Sequence, residues 1–120
     1  MNFNIVNMRV THIKLDETGY LDNPKKNNLN LKNSLSFDEN DRSRATLTTT
    51  VKIITESSFY IEFDYLFTFQ FENEVSTEQE SDFLDTNTVD SVIYPYIRAF
   101  ISNLTSLSGY KAFNLPIVTF

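Results

Sequence analysis

Residues 59–71 read FYIEFDYLFTFQF. The odd positions hold Phe59, Ile61, Phe63, Tyr65, Phe67, Phe69 and Phe71, an unbroken apolar row, while Glu62, Asp64, Thr68 and Gln70 fall at even positions. A period of two marks a β-strand with one buried face, because successive side chains leave the pleat on opposite sides. At about 3.3 Å per residue such a strand reaches roughly 40 Å, so a strong twist or a bulge is expected in it.

Upstream, three further strands follow from the same period. Residues 44–54 set Ala45, Leu47, Thr49, Val51 and Ile53 on one face and Thr46, Thr48, Thr50 and Lys52 on the other. β-branched threonine suits a pleated, half-wetted surface. Residues 29–37 alternate with Leu29, Leu31, Leu35 and Phe37 on one side. In residues 3–15 the apolar set changes parity twice: Phe3 and Ile5, then Val6, Met8 and Val10, then Ile13 and Leu15. A bulge shifts the phase in this way; the alternative is a strand covered on both faces. Gly19 and Asn23-Pro24 bracket a turn, Asn23 to Asn28 reads as a polar loop, and Asp38 to Arg42 and Thr55 to Ser58 read as turns.

Downstream the period changes. Residues 72–87 form an acidic, polar crossover interrupted by Phe83-Leu84. Val89, Val92, Ile93, Tyr96, Ile97, Phe100, Ile101, Leu104 and Leu107 then recur at helical spacing. Asn87 or Thr88 can cap this helix, Asp90 sits in its first turn, and Gly109 supplies the stop. Pro95 either kinks the helix or marks its first turn. On a helical wheel the apolar positions fill an arc of roughly 200°, against about 100° for a helix docked on one sheet. The polar arc is narrow: Ser91, Arg98, Ser102, Thr105 and Ser106. One partner for so wide an arc is the chain's own sheet, and the other is expected to be a second subunit.

These elements predict one α+β domain over residues 1–120, a four-stranded antiparallel sheet with one long C-terminal helix packed on one face. Composition bounds what it can do. The 120 residues hold eleven Phe, six Tyr and no Trp, and the net charge is −6. That balance disfavours nucleic acid, whose phosphates need a basic patch. No Cys is present, which excludes thiolate chemistry and leans towards a reducing, cytoplasmic compartment. The first residues lack the basic and apolar regions of a signal peptide, and no run approaches the roughly 18 apolar residues of a membrane span. Two glycines leave no phosphate-binding loop.

No constellation points to catalysis, so the chain is read as a non-enzyme without metal or organic cofactor. His12 is the single histidine and has neither nucleophile nor fellow ligand beside it in the sequence, which reads as a surface or interface residue. Glu62 and Asp64 share a strand face and read as solvated. Asp38, Glu39 and Asp41 lack the glycine and downstream glutamate of a calcium loop. Asn103-Leu104-Thr105 is a glycosylation triplet inside a helix of a cytosolic chain and is discounted. Phe83-Leu84, an apolar pair in an acidic stretch, either anchors the crossover or contacts a partner.

One family matches these residues. Val92-Ile93-Tyr94-Pro95-Tyr96-Ile97-Arg98 resembles the Phe-Pro-Tyr-Ala-Arg stretch of the bacterial export chaperone SecB. Asn114-Leu115-Pro116-Ile117-Val118-Thr119-Phe120 follows at similar spacing and is similar to the SecB segment Asn-Leu-Ala-Pro-Val-Asn-Phe. Phe3 and Ile5, with Ile13, Leu15 and Asp16, fit the first SecB strand, and the order of elements agrees. The resemblance implies an ATP-independent holdase for non-native polypeptides, assembled as a homodimer or homotetramer, with Phe83, Leu84, Tyr94 and Tyr96 as client contacts. It also implies export and a second partner, the translocation motor SecA, met through acids on the sheet. Asp16 falls at one such position, while His12 and Arg44 occupy two others. The family's second helix and carboxy-terminal tail would follow Phe120, where this sequence stops. The other reading on the same fold is a protein dedicated to one partner, for example an antitoxin-specific chaperone.

Overall fold

The computed structural model describes residues 2–17, 28–54, 59–85 and 88–115. The turn at Gly19, the loop over 23–27, the turn at 55–58, a cap at Asn87 and residues 116–120 of the SecB-like tail lie outside the described residues. The chain divides into two compact units, Met1–Val75 and Ser76–Phe120.

The first unit is a four-stranded antiparallel sheet: β1 (Phe3–Glu17), β2 (Asn28–Asp38), β3 (Asp41–Ile54) and β4 (Phe59–Phe71), in the order β1-β4-β3-β2. β2, β3 and β4 pair in sequence, whereas β1 joins the far side of β4, so β1 and β2, neighbours in sequence, form opposite edges. The apolar rows align across the register. Phe67 of β4 faces Leu47 of β3 and Met8 of β1, and Phe69 faces Ala45 and Ile5. Leu47, Val51, Ile53, Ile61, Phe63, Phe67 and Phe69 are fully buried. Rings continue along and across the strands. Tyr65 stacks on Phe67 at 4.5 Å, and Phe3 meets Phe69 edge-on at 5.4 Å.

The two parity changes in β1 are two bulges. The register shifts between Ile5 and Asn7 and again between Thr11 and Lys14. Each extra residue returns the next apolar set to the face of β4's aromatic row: Met8 and Val10 oppose Phe67 and Tyr65, and Leu15 opposes Ile61. Val6 and Ile13, at the bulges, are left 50% and 52% exposed. His12 lies in the second bulge with φ 55°, a left-handed conformation that histidine adopts more readily than most residues. β4 pairs with β3 without a shift, so of the twist or bulge expected in it the bulges lie in β1 instead.

Polar turns close the sheet. The Asp38 carboxylate accepts from the Asn40 amide at 3.0 Å, and Asp41 accepts from the amide and hydroxyl of Ser43. Those Ser43 bonds hold the Asp41 carboxyl below its ordinary range. Arg42 stacks 4.4 Å from the Phe37 ring and donates to the Val75 carbonyl at 2.8 Å. Buried Thr49 donates to Asn33 at 2.7 Å, so the one polar residue in β3's apolar row is satisfied.

The second unit holds α1 (Thr77–Asp85) and α2 (Thr88–Leu107). The long C-terminal helix is as expected, and the crossover holds a second, shorter helix where the sequence reads as an irregular acidic stretch. Its signal is a capping box, Ser76-Thr77-Glu78-Gln79. The Gln79 amide donates to the Ser76 hydroxyl at 3.2 Å, and the Ser76 amide donates back to the Gln79 side chain at 3.0 Å. Glu78 and Glu80 in the first turn suit the positive end of the helix dipole.

Candidate client-binding surface

Pro95 lies inside α2, with helix on both sides of it. Its missing N–H frees the carbonyl of Ser91, and both residues are exposed, so water can satisfy that group. At the other end, Gly109 at φ 90° closes a Schellman motif: its amide donates to the Ser106 carbonyl, and Tyr110 donates to the Thr105 carbonyl at 3.0 Å. The turn sends the chain back along the helix.

That return segment explains the narrow polar arc of α2. Thr105 accepts from the Phe113 amide at 2.8 Å, Ser102 donates to the Asn114 side chain at 2.9 Å, and Arg98 donates to the Leu115 carbonyl at 2.7 Å. Helix numbers fall as segment numbers rise, so the segment runs antiparallel to the helix. These polar residues bind chain, and are not simply a solvated stripe. Thr105 is fully buried, and its hydroxyl also donates to the Ile101 carbonyl at 3.0 Å. Thr105→Val keeps the shape but strands the Phe113 N–H, with an expected loss of about 1–3 kcal/mol in urea unfolding. A loss below about 0.5 kcal/mol would mean that water replaces the hydroxyl.

The four client residues inferred from the sequence split into two pairs. Phe83 is 2% exposed while Leu84 is 37% exposed. Tyr94 is 4% exposed while Tyr96 is 40% exposed. The split follows from helical geometry: neighbours are 100° apart and residues two apart are 200° apart. Burial raises the Tyr94 hydroxyl pKa, with Arg98 opposing. Leu107, a member of the apolar stripe, is 88% exposed and was not legible as exposed from the wheel. Val92 and Phe100, one turn either side of Tyr96, are half-buried. The second unit thus presents Leu84, Tyr96 and Leu107 to solvent.

Asp16 belongs to the sheet unit. It lies 3.5 Å from Lys14. Register sets Lys14 opposite Glu62, and Glu62 opposite Lys52, a row of alternating sign across three strands. Beside it Tyr60 donates to Glu62 at 2.7 Å. Burial, that bond, and the Glu62 and Asp16 charges together push the Tyr60 hydroxyl up to about 12. Thr50 donates to Asp64 at 2.8 Å, so both strand-face carboxylates accept hydrogen bonds from neighbours. His12 is exposed on the same sheet unit. Among the described residues no group of three or more His, Asp or Glu side chains could hold a metal ion. Among them, too, no helix is long and apolar enough to cross a membrane.

Comparison with known proteins agrees with this architecture. Among solved structures, a SecB-like chaperone of Mycobacterium tuberculosis, in complex with a ChAD peptide from the HigA1 antitoxin, superposes with a TM-score of 0.77 at 16% identity, over 97% of this chain and 90% of that one. A protein of unknown function from Streptococcus agalactiae gives a TM-score of 0.64 at 13% identity, over 98% of each chain. At such identities the likeness carries the fold alone. No curated protein sequence matches significantly. The family model described as preprotein translocase subunit SecB matches residues 17–120, and the chain belongs to the SecB family.

Proposed function

We propose that this chain is an ATP-independent chaperone that holds non-native polypeptides. The observation that carries the reading is the pairing of SecB family membership with apolar side chains left in solvent on the helical unit, Leu84, Tyr96 and Leu107. Where exposed apolar side chains adjoin one another, the patch they form is a contact surface for a partner. Apolar and aromatic contacts also accept many sequences without demanding one register, which suits a holdase. The protein acts in the cytoplasm as a homodimer or homotetramer, a reading supported by the apolar arc of α2, roughly 200° against about 100° for a helix with a single packing partner.

The test is light scattering from a chemically unfolded client diluted into a several-fold molar excess of the protein. Aggregation should slow without ATP, and the effect should change little with salt, since an apolar grip is not screened. The same preparation should scatter as a dimer or tetramer, and a mass of 14.0 kDa at micromolar concentration would contradict the assembly. No suppression of aggregation would reject the general holdase.

The second reading, a chaperone dedicated to one partner, is favoured by the M. tuberculosis relative solved with an antitoxin peptide. One stoichiometric protein retained from native cytosol, in place of many unfolded chains, would select it. SecA, met through Asp16, is the less supported partner. Lys14 shares the Asp16 charge, and the Lys14–Glu62–Lys52 row offers no field of one sign to a charged partner.

A further inference from the structure

We propose that the polar face of the sheet, between Arg9 on β1 and Lys32 on β2, is a docking surface for an acidic polypeptide segment of another protein. The segment crosses the strands, with an acid near each end and an apolar residue between them. This surface is separate from the apolar client surface of the helical unit.

Register builds the face. Side chains alternate along each strand, so the residues between those of the aromatic row share the other side of the sheet. One row across the strands runs Ser36, Thr46, Thr68 and Asn7. The next runs Ser34, Thr48, Leu66 and Arg9, and the one after it Lys32, Thr50, Asp64 and Thr11. All of these side chains are half-buried or exposed, whereas Leu47, Phe67 and Phe69 on the aromatic side are fully buried.

The bonds that the face leaves unmade select the partner. Its acids are matched within the sheet. Asp64 accepts from Thr50 at 2.8 Å, Glu62 accepts from Tyr60 at 2.7 Å, and Asp16 lies 3.5 Å from Lys14. Arg9 and Lys32 are exposed, and among the described residues neither has a hydrogen bond or an ion pair. The hydroxyls of Ser34, Ser36, Thr46, Thr48 and Thr68 are likewise without a partner among the described residues. Two unmatched cations beside a field of hydroxyls call for a partner that brings acceptors and negative charge. The net charge of −6 repels a long polyanion, whereas a short segment with two acids brings only what the two cations match.

Neighbouring charges bound the surface. On one side Lys14, Glu62 and Lys52 alternate in sign and offset one another. At the other end Arg44 shares its charge with Asp41. Between these limits, Arg9 and Lys32 are separated by three strand spacings and one two-residue step, about 16 Å between backbones. An extended segment covers that distance in about five residues. Half-buried Leu66, the apolar member of its row, lies between the two cations and meets the apolar residue in the middle of the segment.

The experiment uses the full chain and a synthetic peptide of about nine residues, with two glutamates about five positions apart, a valine midway and serine elsewhere. Amide chemical shifts of the isotope-labelled protein are followed as peptide is added. Shifts are expected around Arg9, Lys32, Thr48 and Leu66, and the Kd should rise about three- to tenfold from low to physiological salt, as exposed charges are screened. Lys32→Glu and Arg9→Glu should each weaken the peptide about three- to tenfold and strengthen the peptide with lysine in place of glutamate. Lys32→Gln, which removes the charge without reversing it, should weaken it about two- to threefold. Both side chains are exposed, so the melting curves should stay where they are. Shifts confined to residues 77–115, no shifts at all, or a lysine peptide that binds the parent as tightly overturns the proposal. Shifts that grow with protein concentration in the absence of peptide, and vanish in Lys32→Glu, overturn it in favour of a second copy. Inorganic triphosphate that reproduces the shifts at the same concentration overturns it in favour of a free polyanion. Each of these outcomes leaves the chaperone reading standing, because suppression of client aggregation is measured separately.

Discussion

Phe67→Ala is expected to remove about 3–5 kcal/mol of folding stability. Phe67 is fully buried in β4, between Leu47 of β3 and Met8 of β1, with its ring stacked on Tyr65 at 4.5 Å. Truncation forfeits the transfer free energy of the ring and leaves a cavity in the middle of a three-strand row, where backbone hydrogen bonds on both sides resist collapse. The stacked pair adds about 0.5–1.5 kcal/mol beyond area. Typical domains are stable by about 5–15 kcal/mol, so the variant should sit near its unfolding transition. Urea unfolding should report a lower midpoint with an unchanged slope. A cost below about 1.5 kcal/mol would mean that Tyr65 and Phe69 close the space and that the aromatic row is adaptable.

The second large effect separates two adjacent residues of α1. Phe83→Ala should cost about 3–5 kcal/mol, because the ring is 2% exposed. Leu84→Ser, at a side chain 37% exposed, should cost less, about 1–2 kcal/mol, while weakening suppression of client aggregation. Tyr96→Ser should behave like Leu84→Ser. Each variant is read by a melting curve beside the aggregation assay. If Leu84→Ser and Tyr96→Ser suppress aggregation as well as the parent does, the exposed side of the helical unit is not the client surface. If Leu84→Ser destabilises as much as Phe83→Ala, the pair acts together as an anchor.

The sheet was legible because its signals are local. The odd row of residues 59–71, the alternation in 44–54 and the two phase changes of residues 3–15 each depend on side chains a few positions apart, and β1's bulges follow from them. α1 was missed for a physical reason. With Phe83 and Leu84 as its only large apolar residues, it shows almost no helical period, and its definition comes from the Ser76–Gln79 box. The candidate surface was half legible. The apolar pair in the acidic crossover and the SecB-like motif singled out Phe83, Leu84, Tyr94 and Tyr96, but which of each pair reaches solvent depends on the angle at which each helix meets its surroundings.

By itself the sequence determined four strands and one long helix with its stop at Gly109, because period and cap chemistry are properties of short windows. Tertiary structure alone decided that β1 lies beside β4 and away from β2, since strand order depends on pairing across long separations. It also decided that Arg98, Ser102 and Thr105 bind the returning segment 113–115. A helical wheel shows polarity without showing what covers it, and a hydroxyl facing water reads the same as one facing a backbone amide. The difference between the two sheet edges, β1 bulged and β2 regular, belongs to both levels: the phase changes are written in residues 3–15, but only the strand order makes β1 and β2 edges.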